Sequence, residues 1–393
     1  MENFTFYSPT EFVFGRDTQA RTGELVARFG GRRVMIVSGG GSAERSGLLA
    51  QVRAALTESG IFFIEQKGIA PNPTDDRVYE GIRMARENNI DFLLAVGGGS
   101  VIDSTKAVAL GVNYEGDFWD FYCGKATPAS VLPLGVVLTI PAAGSEGSGN
   151  SVITKLDGKH KISVRYPMCL RPRFAVMNPE LTMSLPWFQT ACGITDMLCH
   201  IYERYFSNTT GTDLTDSIAE AIMRDVMENA LILKETPDDY DARAAVMWAS
   251  TLAHNGLCGC GKVEDWSSHA LEHEISAWHN VAHGAGLAVM VPAWMSFVAE
   301  KNPRKVVQFA VNVMGIAPEG KTEQEICRLG IEALKGFYHT LGLTTSLREL
   351  TGCEPDIDLL VRSLQGNKGE TLGSYVPLSM NDCKEIYQRS LIN

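Results

Sequence analysis

Apolar and polar positions fall into two regimes along the chain. Up to about residue 180, short apolar runs at 33–37, 61–64, 92–96 and 134–138 alternate with stretches such as 48–56, 75–87 and 101–107 that read as helices. Such runs predict buried strands, and apolar residues recurring every three or four positions predict helices. Strands and helices in alternation imply a parallel sheet covered on both faces, since each crossover carries a helix back over the sheet. Residues 4–14 differ: they read as two short strands around Ser8-Pro9-Thr10, stopped by Gly15. An exposed hairpin of that kind predicts pairing with a second copy of the chain, a homodimer. Beyond PELTMSLP at 179–186 the patterning is almost wholly helical, at 189–206, 214–233, 241–254, 287–300, 323–341 and 357–364. The expectation is therefore an α/β domain over 1–185 followed by an all-helical domain over 186–393.

Small residues follow three of the apolar runs. Gly97-Gly98-Gly99-Ser100 follows the strand at 92–96, Gly39-Gly40-Gly41-Ser42 follows 33–37, and Thr139 to Ser145 follows 134–138. A glycine turn between a strand and a helix N-terminus lets backbone N–H groups approach a pyrophosphate, where the helix dipole favours negative charge. None of the three has the GxGxxG spacing, and each alone equally describes a tight turn. Together they fit a dinucleotide lying across the strand ends of a Rossmann-like sheet.

The helical half holds the other concentration of chemistry. EDWSSHALEHEISAWHNVAH at 264–283 carries His269, His273, His279 and His283, four of the eight histidines. His269 and His273 are spaced to share a helix face, as are His279 and His283. His269 and His283 lie about 21 Å apart along one straight helix, so they meet at one ion only if the chain turns between them. Asn280 is the expected breaker and the N-cap of a second helix beginning near His283. Asp196 and His200 in DMLCH repeat the i,i+4 spacing and supply further ligand types. An Asp/His/His/His set suits Zn²⁺ or Fe²⁺ alike. Against this stands the commoner role of a buried histidine, which is to satisfy a core.

Composition narrows the partners. With 45% hydrophobic and 21% charged residues and a net charge of −11, the chain is expected to bury a large core and to bind neither nucleic acid nor an anionic membrane surface. No run is long enough to span a bilayer, and the first residues lack the charged and apolar regions of a secretory signal. Nine cysteines, an odd number that includes a CxC at Cys258 and Cys260 but no CxxC, point to reduced thiols in the cytoplasm.

GGGSVIDSTK at 97–106, TIPAAGSE at 139–146, PELTMSLP at 179–186, DMLCH at 196–200 and the histidine run stand in an order that resembles the iron-containing alcohol dehydrogenases. The likeness runs from the N-terminal stretch to about Trp294, and within the family is greatest to NADPH-linked aldehyde reductases and butanol dehydrogenases. By that resemblance the metal ligands are Asp196, His200, His269 and His283, and His273 is a catalytic histidine near the substrate but outside the metal shell. The cofactor contacts it implies are Gly98, Gly99 and Ser100 at the pyrophosphate, with Asp103, Thr139, Lys161 and Asn72 nearby. Ala143 departs from a threonine common in the family, and Lys161 shares what reads as a loop with Lys155 and Lys159.

Cofactor choice turns on the first glycine turn. NAD enzymes often place an acid where the adenosine ribose hydroxyls sit. That position is Gly39 here, followed by Gly40 and Ser42, which favours a 2′-phosphate and hence NADP(H), with Arg45 adding charge and Glu44 opposing it. The resemblance then implies reversible hydride transfer between NADP(H) and a short primary alcohol or aldehyde such as butanol or butanal, with one Fe²⁺ or Zn²⁺. Two other activities on the same fold compete. A lyase resembling dehydroquinate synthase needs a basic cluster that the helical half lacks, and a polyol dehydrogenase resembling glycerol dehydrogenase fits the histidine run less well. A non-enzymatic metal- or nucleotide-binding role is the third reading, disfavoured by a ligand set and a cofactor loop in one chain.

Overall fold

The computed structural model describes residues 1–391 and divides into two compact units, Tyr7–Leu185 and Pro186 to the C-terminus together with Met1–Phe6.

In the first unit eight strands form in chain order: β1 (Glu11–Phe14), β2 (Arg33–Gly39), β3 (Phe62–Ile69), β4 (Phe92–Gly97), β5 (Leu134–Leu138), β6 (Asn150–Lys155), β7 (His160–Arg165) and β8 (Phe174–Met177). Six of them make one sheet in the order β1-β8-β5-β4-β2-β3, and every pairing is parallel. Its helices are α1 (Thr22–Arg28), α2 (Ser42–Arg45), α3 (Leu48–Glu58), α4 (Asp75–Glu87), α5 (Gly99–Val112) and α6 (Trp119–Tyr122). Val34, Ile36, Leu94 and Val96 join Leu25, Val26, Val52 and Leu56 in one cluster beneath α1 and α3. The alternate residues Met35, Val37, Leu93 and Ala95 are fully buried too. A sheet covered on both faces explains why these strands read as continuous apolar runs rather than as alternations. From β2 the chain adds β3 on one side, then returns to place β4 and β5 on the other. The topological switch point lies between β2 and β4, where a ligand crevice is expected beyond the strand ends.

Two expectations for this unit need correction. Residues 4–14 form no hairpin: only Glu11–Phe14 is a strand, and it pairs in parallel with β8 at the sheet edge. Phe4 to Tyr7 has no neighbouring strand to complete a ladder, and a strand needs one to satisfy its backbone. Lys155, Lys159 and Lys161, read as sharing a loop, lie instead in an antiparallel ribbon over 150–165 that pairs Thr154 with Lys161 and Lys155 with His160. Its turn is made by Gly158 and Lys159, both at positive φ.

The helical unit comprises α7 (Trp187–Tyr205), α8 (Asp213–Glu235), α9 (Tyr240–His254), α10 (Ser267–His279), α11 (His283–Lys301), α12 (Arg304–Asn312), α13 (Glu323–Thr340), α14 (Leu347–Thr351), α15 (Ile357–Lys368) and α16 (Met380–Arg389). A short antiparallel pair, Thr371–Leu372 with Leu378–Ser379, interrupts the helices. Residues Met1–Phe6 belong here rather than with the sheet, held by Met1 N to Thr210 O at 2.5 Å and Glu2 N to Gly261 O at 2.9 Å. One core of buried residues runs through α7 to α16, and α7 gives it Ile194, Met197, Leu198, Ile201, Tyr202 and Tyr205, all buried. Burying each such side chain contributes about 1.5–3 kcal/mol, which holds the polar residues of α7 in place beside them. Among the described residues no helix is long and apolar enough to cross a membrane.

Candidate active site

Three helices deliver the candidate metal-ligating side chains. Asp196 and His200 lie one turn apart on α7, His269 stands in the first turn of α10, and His283 is the first residue of α11. Asn280 turns the chain between the last two, as C-cap of α10 in the left-handed conformation (φ 52°, ψ 36°). It does not cap α11, whose N-cap is Ala282. Asparagine tolerates the left-handed region that ends a helix, and ending α10 is the use the fold makes of it. The break also separates His279, the last residue of α10, from His283, so that pair does not share a helix face. Gly284 sets the approach of α11 to α7: a Cβ there would lie 2.0 Å from the carbonyl oxygen of Cys192.

These elements bring three imidazole nitrogens around one carboxylate oxygen. His200 Nε2 lies 3.3 Å from Asp196 Oδ1, and the Nε2 atoms of His269 and His283 each lie 3.7 Å from it. Donors about 2.1 Å from a tetrahedral Zn²⁺ or similar ion stand roughly 3.4 Å apart, which these separations match. Asp196 Oδ1 and His269 Nε2 are buried with no hydrogen-bond partner. Buried polar atoms without partners are costly, and a shared cation would satisfy them. The residues therefore fit a divalent metal.

Two carboxylates that sequence reasoning missed complete the arrangement. Glu203 Oε2 is 2.5 Å from His269 Nδ1, while its Oε1 accepts from His269 N at 2.9 Å and Ser268 Oγ at 3.0 Å. Glu272 Oε2 accepts from His283 Nδ1. A carboxylate on Nδ1 fixes the proton there and leaves the Nε2 lone pair for the metal. Glu203 was legible in principle: Asp196, His200 and Glu203 stand at i, i+4 and i+7, one face of a helix. Glu272 gave no such signal, because its partner lies on another helix. Asp265 starts α10, accepting from Ser267 N at 2.9 Å and from Ser374 N and Tyr375 N at 2.8 Å each.

The electrostatics differ between two of the imidazoles. Burial, helped by the neighbouring His254, His269 and Arg204, holds the His200 pKa well below its ordinary value, which keeps the imidazole neutral as a ligand must be. At His269 burial pulls the same way, but the Glu203 and Cys199 groups outweigh it and raise the pKa well above the usual value. The His200 ring stacks within 3.9 Å of the His254 ring, and the Arg204 guanidinium lies 4.7 Å over Trp266. His273 is buried one turn beyond His269, its ring 6.0 Å from His269 and 5.5 Å from His283, so it stands beside the ligands without joining Asp196.

In the sheet unit the glycine turns meet at the switch point. β4 ends at Gly97 and α5 begins at Gly99. A Cβ on Gly98 would lie 2.9 Å from Ile140 Cβ, so the close approach of this turn to the 139–146 loop requires glycine. Thr139 N donates to Gly97 O at 3.1 Å, placing Thr139 beside Gly98, Gly99 and Ser100, whose amides open α5. Ser38 pairs with Val96, which sets Gly39 next to the same turn, and the space beside Gly40 is open. Ser42 begins the short α2 just beyond. Lys161 is buried on β7 and donates to Asn72 Oδ1 at 3.1 Å, so these two expected residues come together, away from solvent. Asp103 uses Oδ1 for Ser145 Oγ at 2.6 Å and Oδ2 for Val152 N at 2.9 Å, tying α5 to the loop and the ribbon. Lys106, fully buried, reinforces that tie through the carbonyls of Ser145, Ser148 and Asn150 at 2.7, 2.9 and 2.8 Å.

A glycine-lined crevice in one unit and a buried Asp/His₃ cluster in the other are the kinds of site that a metal-dependent nicotinamide dehydrogenase requires. Comparison with known proteins gives the family. Residues 9–179 match the iron-containing alcohol dehydrogenase family and residues 190–391 the Fe-containing alcohol dehydrogenase family, C-terminal. The chain is 39% identical over 391 residues to NADH-dependent butanol dehydrogenase A of Clostridium acetobutylicum, covering 99% of this chain and 100% of that one. It is 34% identical over 391 residues to the NADPH-dependent aldehyde reductase YqhD of Escherichia coli, covering 99% of each. The crystal structure of NADH-dependent butanol dehydrogenase A from Thermotoga maritima superposes with a TM-score of 0.95 at 39% identity, covering 99% of both chains. The chain belongs to the iron-containing alcohol dehydrogenase family, and with it is an NAD(P)-dependent oxidoreductase acting on alcohols and aldehydes.

Proposed function

We propose that the chain is a metal-dependent, NADP(H)-linked alcohol dehydrogenase and aldehyde reductase for short primary alcohols and aldehydes such as butanol and butanal. The observation that carries this reading is the meeting of His200, His269 and His283 at Asp196 Oδ1, with Glu203 and Glu272 behind two of the imidazoles. A Zn²⁺ or Fe²⁺ there would supply Lewis-acid polarisation of the substrate oxygen, and the nicotinamide would supply or take the hydride. Asp196, His200, His269 and His283 hold the ion; Glu203 and Glu272 keep protons on Nδ1 of their histidines. His273 relays the proton to or from the substrate oxygen, as an imidazole beside the ligands is able to do. Gly98, Gly99 and Ser100 take the pyrophosphate on backbone amides, Thr139, Lys161 and Asn72 flank the cofactor, and Asp103 keeps α5 and its neighbouring loop in register.

Relatives named for NADH and for NADPH both occur, so the preference for NADP(H) rests on Gly39, where no acid is available to a ribose diol. We assign residues 7–185 to the cofactor and the helical unit to metal and substrate. All nine cysteines are free thiols, consistent with the cytoplasm. The homodimer remains our reading, carried now by the edge strand β1 and the exposed Phe4, Phe6, Tyr7 and Phe14 rather than by a hairpin. The test is anaerobic oxidation of NADPH by butanal with Zn²⁺ or Fe²⁺, repeated with NADH. Turnover favouring NADPH is expected; no turnover of any short aldehyde with either metal overturns the reading.

A further inference from the structure

The crevice beyond β2 and β3 contains a cation that the reaction chemistry does not use. It is lined by Gly39, Gly40, Gly41, Glu44, Lys67 and Gly68 among others. Three glycines run along one wall; Glu44 and Lys67 line it, with the Arg45 guanidinium 3.1 Å from where a Cβ on Gly41 would stand, and Glu44 and Lys67 point to opposite cofactors. An acid accepts hydrogen bonds from a ribose diol, whereas an ammonium pairs with a 2′-phosphate.

Arg53 decides between them. Its guanidinium donates to Glu44 at 2.8 and 2.5 Å and to Glu65 at 2.7 and 3.0 Å, occupying both carboxylates at once. Lys67 Nζ lies 3.2 Å from Glu44 Oε2 and 3.0 Å from Glu65 Oε2, but its side chain is 54% exposed. If the ammonium swings away, neither carboxylate is left without a cation. Lysine is a flexible point charge and loses little by exchanging partners at an exposed site. Glu44 is in the opposite position: to take a ribose diol it must give up a bidentate arginine. The rim is thus built with cation to spare and no spare anion.

We propose that Lys67 recognises the 2′-phosphate of the adenosine ribose, and that Arg53 sets cofactor choice by holding Glu44 out of reach of the ribose diol. This rests on the dinucleotide reading of the sheet unit. The experiment measures the affinity of the full chain for NADPH, NADH and adenosine 2′,5′-bisphosphate by calorimetry, for the unaltered protein and for Lys67→Gln, Lys67→Arg and Glu44→Gln. Lys67→Gln is expected to weaken NADPH and the bisphosphate about tenfold while NADH moves less than about twofold. Lys67→Arg restores most of the loss, and Glu44→Gln strengthens NADPH relative to NADH. The NADPH advantage also shrinks as salt rises, since the contact is exposed to screening. Equal weakening of NADPH and NADH in Lys67→Gln, or no weakening of either, overturns the assignment while leaving the dinucleotide site standing. Failure of the unaltered chain to bind all three compounds overturns the dinucleotide reading and this inference with it.

Discussion

At the ends of β2 and β4 the functional surface is made by leaving side chains out, and in the helical unit it is made by burying them. Gly39, Gly40, Gly98 and Gly99 offer backbone amides without side chains, so the ligand's phosphates supply the charge. Around Asp196 the polar atoms belong to the protein, and two of the imidazoles are held by a carboxylate on another helix: Glu203 on α7 orients His269 on α10, and Glu272 on α10 orients His283 on α11. A surface of amides tolerates loss of neighbouring side chains but not their addition. A cage of buried donors tolerates neither substitution nor neutralisation, because what remains is a buried group without a partner.

The largest effect that sharpens this contrast is expected from His273→Ala. If His273 relays the proton, kcat falls by about 10²–10⁴. Metal content measured by mass spectrometry stays at the level of the unaltered protein, because the ring stands outside the Asp196 cluster. Loss of metal together with activity would place it among the ligands instead. Next in size is Glu203→Gln, which should weaken metal binding about 10–100-fold in chelator competition, the cost of losing a carboxylate behind a ligating histidine. Unchanged affinity would mean that α10 alone orients His269.

The complementary change adds atoms to the sheet unit. Gly98→Ala puts a methyl 2.9 Å from Ile140 Cβ. It should destabilise the protein by about 1–3 kcal/mol and weaken either cofactor, with metal content untouched. Equal cofactor affinity in the variant would show that the turn has slack. The smallest effect is a pH dependence far from both sites. Burial raises the Asp216 carboxyl pKa, but hydrogen bonds from Lys262 and Lys305 outweigh it and hold the value below the usual range. A carboxylate with a lowered folded pKa binds fewer protons in the folded state, so its contribution is present above the unfolded value and lost as pH falls through the folded one. The melting temperature should drop below about pH 4, and Asp216→Asn, less stable at neutrality, should show a shallower acid limb. Equal acid limbs would assign the loss to other carboxylates.

How much of this was legible in the sequence follows the same contrast. Continuous apolar runs gave the buried strands, with 134–138 matching β5, because both sheet faces are covered and no polar alternation confuses the period. The i,i+4 spacings of Asp196 with His200 and of His269 with His273 survive as helix geometry. What spacing alone could not convey is which of four histidines in one run reach the same point. The break at Asn280 was legible, but the convergence depends also on Gly284 letting α11 close onto α7, a tertiary fact. Glu272 was hidden for the same reason. The ribbon at 150–165 was missed because Lys155, Lys159 and Lys161 crowd its turn, although Ser151 to Thr154 and Lys161 to Val164 pair across Gly158. Residues 4–7 read as a strand from their aromatics, yet a strand exists only where another chain segment completes it.

The most direct test of the metal centre is the metal content of the full chain, purified anaerobically and loaded with Zn²⁺ or Fe²⁺, compared with Asp196→Ala, His200→Ala, His269→Ala and His283→Ala. One ion per chain, lost in each of the four variants while circular dichroism shows them folded, is the predicted result. An ion retained in all four folded variants would contradict a centre built on Asp196.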